Sequence, residues 1–175
     1  EPGPRARTCC ARRGARALEE GAFRDGWELN GIGTVSGRGR ISLGPAELEL
    51  LPRSSQTGYA DLLCGHDVGL ALMYTPHPSL VPIEMASAGM LAVTNTFENK
   101  TPDALAAISP NLIAGEPTVE GIAEALLAAA AGAEDHERRA RGSAVHWSRD
   151  WDTSFHPQLL GRLESYLAHR AVVAA

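Results

Sequence analysis

Lysine is almost missing from this 175-residue chain: Lys100 stands alone beside fifteen arginines. With the abundant Ala and Gly, that bias reflects a GC-rich genome rather than a function. Cysteine is sparse too. Cys9, Cys10 and Cys64 are odd in number and form no CxxC pair, which excludes a disulfide framework and a paired zinc or redox site and leaves three reduced thiols. No long apolar run is present. The most apolar stretch, Ile122 to Ala133, is interrupted by Glu124 and is shorter than the roughly 20 residues a bilayer requires. An excess of positive charge is also lacking. The net charge of -5 and pI near 5.7 exclude a protein that coats nucleic-acid phosphates, so no nucleic-acid partner is expected. His66, His77, His136, His146, His156 and His169 show neither HxxxH nor HExxH spacing, so no metal is expected. The Arg12-Arg13 pair is followed by Glu19, Glu20, Arg24 and Asp25 rather than an apolar core, which excludes an export signal. A cytoplasmic protein is expected, with a peripheral position at the inner face of the membrane left open. The sequence starts without an initiator Met, as part of a longer protein would.

What is present is ordinary globular composition, with 44% hydrophobic and 21% charged residues, enough for one domain. Glu1 to Arg7 reads as loop, and Thr8 caps an Arg-rich helix that runs to Glu20. Strands are predicted over Trp27–Ile32, Arg40–Leu43 and Glu47–Leu51. A short helix over Gln56–Leu63 places Tyr59, Leu62 and Leu63 on one face. The continuous apolar runs Val68–Met73 and Met90–Thr94 have the character of parallel strands buried on both faces, adjacent at the sheet centre. Between them Ser79 stands at an N-cap position, Pro82 falls in the first turn, and Gly89 supplies a left-handed stop. Leu112-Ile113 is a further strand. Thr118 caps an alanine-rich helix to about Ala133, which either packs closely or lies on the surface. After the charged stretch 134–141, Trp147, Trp151 and Phe155 lead to a last helix with Leu159, Leu160, Leu163, Tyr166 and Leu167 in one stripe. The fold class is α/β: a Rossmann-like parallel sheet with helices on both faces.

The chemistry concentrates in Thr75–Thr94, TPHPSLVPIEMASAGMLAVT. Ligands of such sheets bind beyond the carboxyl ends of the strands, and the loop Tyr74–Ser79 occupies such an end. The free N–H groups near Ser79, Leu80 and Val81 suit a phosphate, with roughly 0.3–1 kcal/mol from the helix dipole. Glu84, about one and a half turns further, can accept hydrogen bonds from a neutral diol beside that phosphate, the layout of a nucleotide. A solvated helix glutamate is the alternative. Ser36 in VSGRGR lacks the flanks of a nucleophile elbow or phosphate loop and reads as a glycine turn.

These residues resemble the carboxy-terminal, donor-binding domain of GT-B glycosyltransferases, within family 4 the rhamnosyltransferase-like group. A loop of the type SPHPSYPPLEMA, then Gly, a strand and TN-(aromatic)-ENK are matched here by Thr75–Ala86, Gly89 and Thr94–Lys100. The upstream YADLLCGHDVGLALM is similar to the group's preceding helix and strand. The similarity covers roughly 27–167 and is strongest over 59–100.

The resemblance implies one half of a GT-B fold, a single nucleotide-sugar-binding domain over 1–175. Its segment 145–175 would pack towards an N-terminal acceptor domain missing from this chain. It implies that Glu84 is the second glutamate of an E-x7-E pattern and holds the donor ribose. Pro76 stands where the first would be, an absence the group shares. His77, Pro78, Ser79 and Leu80 would contact the donor sugar and diphosphate, and Arg53 would replace a lysine that touches the phosphates. A charge-assisted hydrogen bond contributes about 1.5–3 kcal/mol, which ranks Arg53 above the helix dipole. The group's Arg-Pro after its first strand has no counterpart, and Arg5 or Arg7 are the substitutes. No catalytic residue is assigned. The resemblance implies transfer of a (deoxy)hexose, with rhamnose one candidate, from a nucleoside diphosphate sugar to a glycan acceptor, with no cofactor and no metal. Whether this fragment alone is an enzyme stays open. The alternative is a non-catalytic nucleotide-sugar-binding or interaction module. A sugar-nucleotide epimerase is a weaker option, against which NTFENK argues.

Overall fold

The computed structural model describes Phe23 and residues 27–33, 39–44 and 46–173. The helix expected from Thr8, the turn expected at Ser36 in VSGRGR, Arg5, Arg7, Cys9 and Cys10 lie outside these residues. The chain divides into two compact units, Glu1–Val145 and His146–Ala175.

In the first unit the described elements begin with strands β1 (Leu29–Ile32), β2 (Gly39–Leu43) and β3 (Ala46–Leu51). They form a sheet of order β1-β3-β2, with β1 parallel and β2 antiparallel to β3. The β2–β3 hairpin turns at Gly44, whose φ of 71° is a conformation that suits glycine. Helix α1 (Gln56–Cys64) follows, its start fixed by Ser55 Oγ, which accepts from Gly58 N at 3.1 Å.

The second sheet is the Rossmann-like part. Strands β4 (Val68–Leu70), β5 (Leu91–Asn95) and β6 (Leu112–Gly115) are all parallel, in the order β4-β5-β6. Helices α2 (Leu80–Ser87), α3 (Pro102–Ile108) and α4 (Val119–Ala131) connect and cover them. Every residue of β5 is buried. Leu91 and Val93 pack with Ile122, Ala125, Leu126 and Ala129 of α4. Ala92 packs on the other face with Ala86 of α2 and Leu105 of α3. A strand covered on both faces has no reason to alternate polar and apolar residues, which is why it reads as a continuous apolar run. The small side chains of α4 serve close packing, since Ala123, Ala125 and Ala129 are buried.

The expected helix stop at Gly89 is present, with φ 86°. Gly89 N donates to Ala86 O and Met90 N to Met85 O, both at 3.0 Å, a Schellman closure that turns α2 into β5. Two expectations need correction. β5 alone is central, and β4 is an edge of its sheet. The Val68–Met73 run keeps strand geometry only to Leu70. Beyond the Ala71 N–Val93 O bond, Met73 is held by the Asn95 side chain instead of a strand backbone. Helix α3 and helix α5 (His136–Gly142) are additions to the sequence reading. Both are short and lack an apolar stripe long enough to show a period.

The second unit consists of α6 (Trp151–Ser154) and α7 (Pro157–Val173). Asp150 caps α6, accepting from Thr153 N at 2.6 Å and from Thr153 Oγ1 at 2.8 Å. Trp151 and Phe155 lie ring against ring, centroids 5.5 Å apart.

Candidate functional site: the loop after β4

Between β4 and α2 the chain runs through Met73 to Ser79 at the carboxyl end of the parallel sheet. Two neighbouring side chains hold the start of this loop. The Asn95 amide acts as a surrogate strand: Oδ1 accepts from Met73 N at 2.8 Å, and Nδ2 donates to Met73 O at 3.2 Å and to Thr96 O at 3.0 Å. Lys100 Nζ donates to the same Met73 O at 2.6 Å. Asn95 is fully buried and Lys100 is only 2% exposed. Burial pushes the Lys100 ammonium below the ordinary lysine range. Lys100 reaches Met73 because Phe97 and Lys100 close a tight turn, bonded N to O in both directions, with Glu98 in the left-handed region at φ 48°.

Tyr74 spans the loops beyond β5 and β6. Its hydroxyl donates to Pro117 O at 3.1 Å and its ring meets Phe97 edge-on at 6.0 Å. Further on, Thr75 Oγ1 donates to His77 O at 3.0 Å. Ser79 is the N-cap residue of α2, but its side chain makes no cap bond and its φ is 73°. Its N–H donates to His77 Nδ1 at 3.0 Å. A non-glycine residue in that region costs on the order of 1–3 kcal/mol, and such strain gathers at ligand clamps. The expected trio of free N–H groups is therefore corrected to Leu80 and Val81, since His77 takes the Ser79 donor. Pro82, third in the helix, has no N–H and needs no acceptor.

Glu84 lies about 6 Å along the axis from the start of α2 and is exposed. The Tyr59 phenol on α1 lies near its carboxylate. Burial first, then the neighbouring Glu84 carboxylate, hold the phenol above its usual range. Sequence reasoning placed Tyr59 on a packing face and missed this contact. The available signal was chemical: a half-buried tyrosine hydroxyl needs a partner. The roles of Asn95 and Lys100 were missed as well, although both belong to the NTFENK segment. Of the sequence-derived candidates, His77, Pro78, Ser79 and Leu80 follow one another at the entry to α2, and Glu84 lies exposed further along that helix. Arg53 is exposed on the β3–α1 connection and forms no ion pair with a described residue.

His66, read from the sequence as a packing or surface residue, is structural. Its Nδ1 donates to Leu62 O at 2.7 Å, which leaves Nε2 to accept from Asn30 Nδ2 at 3.0 Å. An open cleft of about 330 Å³ lies at the opposite, amino end of the strands, lined by Cys64, Ser87, Gly89, His136 and Arg139 among others. The Arg139 guanidinium there is already engaged, with Gly89 O and Ala133 O at 2.8 Å and Asp67 at 2.6 Å. Among the described residues no group of His, Cys, Asp and Glu is placed to hold a metal ion, and no helix is long and apolar enough to cross a membrane.

The family described as "WsaF, C-terminal domain" matches residues 7–127. The chain belongs to the WsaF C-terminal domain family. That match contains the whole loop after β4, together with Tyr59, Glu84, Asn95 and Lys100. The chain is also 33% identical over 119 residues to the O-antigen biosynthesis protein RfbC of Myxococcus xanthus. The aligned region covers 67% of this chain and 9% of that relative's length. This WsaF C-terminal domain member thus matches a small part of a much longer relative.

Proposed function

We propose that this domain binds the nucleoside diphosphate sugar used by a glycosyltransferase in glycan biosynthesis. The observation that carries the reading is the strained entry into α2. Ser79 is held at positive φ by His77, so that the first-turn N–H groups of Leu80 and Val81 meet an approaching anion at the carboxyl end of β4. Glu84, about one helical turn along and near Tyr59, supplies acceptors for the ribose hydroxyls. Arg53 supplies a mobile cation for the diphosphate. His77, Pro78, Ser79 and Leu80 form the rim that meets the donor sugar. Family membership and the name of the long relative support glycan assembly as the setting; the group transferred in this proposal is a (deoxy)hexose such as rhamnose, on the resemblance of the loop after β4.

Catalysis in this reading is electrostatic. Charge grows on the diphosphate as the glycosidic bond breaks, and Arg53 and the helix start stabilise it. A diphosphate needs no general acid to depart, and no metal or cofactor is invoked. A base for the acceptor hydroxyl would come from an acceptor domain elsewhere in a longer protein, to which the 145–175 segment would dock. The setting is cytoplasmic, with a peripheral place at the inner membrane face left open.

A second reading is a donor-binding module without turnover, in which the same site holds the nucleotide sugar and no transfer follows.

Titration with dTDP, UDP, GDP and inorganic pyrophosphate tests the proposal. Saturable binding of at least one nucleotide is expected. Glu84→Ala should weaken the nucleotide roughly 10- to 100-fold, the scale of a lost charge-assisted hydrogen bond, and leave pyrophosphate binding unchanged. Arg53→Ala should weaken both. Failure of every nucleotide to bind removes the donor-site reading. Nucleotide binding without transfer when the domain sits in its longer protein favours the module.

A further inference from the structure

Lys100 is more costly than its structural task requires. It is the chain's single lysine, 2% exposed, and among the described residues it forms no ion pair. Among the described residues its ammonium makes one hydrogen bond, to a neutral carbonyl, Met73 O at 2.6 Å. Taking an ammonium out of water for a single neutral acceptor is unfavourable, and a well-packed apolar chain of similar volume serves stability as well or better. The carbonyl does not depend on it, because Asn95 Nδ2 donates to Met73 O as well. Asn95 Oδ1 also satisfies Met73 N, so a neutral amide holds both backbone groups at the root of the loop. What Lys100 adds is positive charge, placed where the chain leaves β4 for the strained Ser79 corner and the start of α2.

We propose that Lys100 is a positioning residue for an anion: from the root of the loop its covered ammonium supplies the field that holds a diphosphate over residues 74–81. The inference rests on the donor-site reading above and extends it to a residue that does not itself touch the ligand. A charge in a low-dielectric setting acts over a longer distance than one in water. Its cover of protein keeps water and salt from screening it as they screen the exposed Arg53. The cost in folding is then offset when the anion arrives, so the ammonium is tuned for the bound state. Binding and stability consequently respond to its removal in opposite directions, which a purely structural lysine cannot produce.

The test uses the full chain, with inorganic pyrophosphate and UDP as probes, followed by calorimetry and thermal melting. Lys100→Met is expected to melt at or above the wild-type temperature. It should bind both probes roughly tenfold or more weakly, the scale of a unit charge acting at an effective dielectric of about 20. Lys100→Arg, which keeps the charge, is expected to retain more of the affinity than Lys100→Met. Wild-type affinity for Lys100→Met overturns the inference and leaves the donor site standing. A fall in melting temperature that accompanies the loss of binding assigns Lys100 a structural role and also overturns it. Failure of the wild-type chain to bind either probe removes the donor site and this inference together.

Discussion

At the scale of residues, Lys100 and Tyr59 give the chain an alkaline stability profile that can be worked out in sign. Burial depresses the Lys100 pKa, so the folded chain holds that proton more weakly than the unfolded chain. Between the depressed folded value and the ordinary lysine value of about 10.4, the unfolded state carries more protons. The stability tied to this group is therefore full above that window and is lost as pH falls through the folded pKa. Tyr59 runs the other way. Its pKa is raised, chiefly by burial and then by Glu84. Its contribution is present below the ordinary phenol value of about 10 and is lost as pH rises through the folded value. Urea unfolding across the alkaline range should show stability climbing towards about pH 10 and then declining. Lys100→Met should flatten the climb, and Tyr59→Phe should remove the decline. With no other lysine in the chain, the first effect has no competitor of its type.

The same scale shows how much of the site the sequence discloses. Ser79 and Glu84 were legible because helix starts and their spacing follow from local rules. The Tyr59–Glu84 approach joins residues 25 positions apart, and the Lys100–Met73 bond spans 27. Neither follows from local pattern, since each depends on which strands become neighbours.

At the scale of elements, backbone closeness decides which glycines can change. In the first turn of α4, a Cβ on Gly121 would lie 2.9 Å from Glu116 O and 2.6 Å from Glu116 Cβ. Gly121→Ala should therefore cost about 1–3 kcal/mol by overpacking. Gly58, early in α1, has Ser55 Oγ as its nearest neighbour at 3.4 Å and ordinary helical backbone. Gly58→Ala should stabilise by about 0.5–1 kcal/mol, the entropy glycine forfeits in a helix. Urea midpoints of the two variants should move in opposite directions. The cap at Thr118 was visible as a threonine before a helical stretch, and the Gly89 stop likewise, whereas the Ser55 cap of α1 was not singled out. The early end of β4 was not visible. An apolar run states that residues 68–73 avoid water, but the replacement of strand pairing by the Asn95 side chain at Met73 is a tertiary event. Helix α5 was hidden for a related reason. It is charged and short, and it is anchored by contacts that the sequence does not order. Asn111 Nδ2 donates to Arg139 O at 2.8 Å and Ser109 Oγ to Gly142 O at 2.6 Å.

At the scale of the whole molecule, the parallel β4–β6 sheet with helices on both faces agrees with the α/β expectation, while the first sheet adds an antiparallel pair that the expectation did not include. In the second unit the apolar stripe of α7 is exposed at Leu160, Leu163, Tyr166 and Leu167. Trp151 is 77% exposed. Trp27 and Trp147 are half-buried, so Trp151→Phe should remove the emission most readily quenched by acrylamide. Retention of that quenchable fraction in the variant would mean that Trp151 is covered in solution.

The placement of the single lysine reaches beyond ligand binding. With its ε-amine enclosed against a main-chain carbonyl, the folded surface offers no lysine to succinimidyl esters, aldehyde fixatives or enzymes that conjugate modifiers to lysine. A tag acquired at position 100 therefore times the separation of the β4 loop from β5, making this one nitrogen a built-in clock for the opening of the domain.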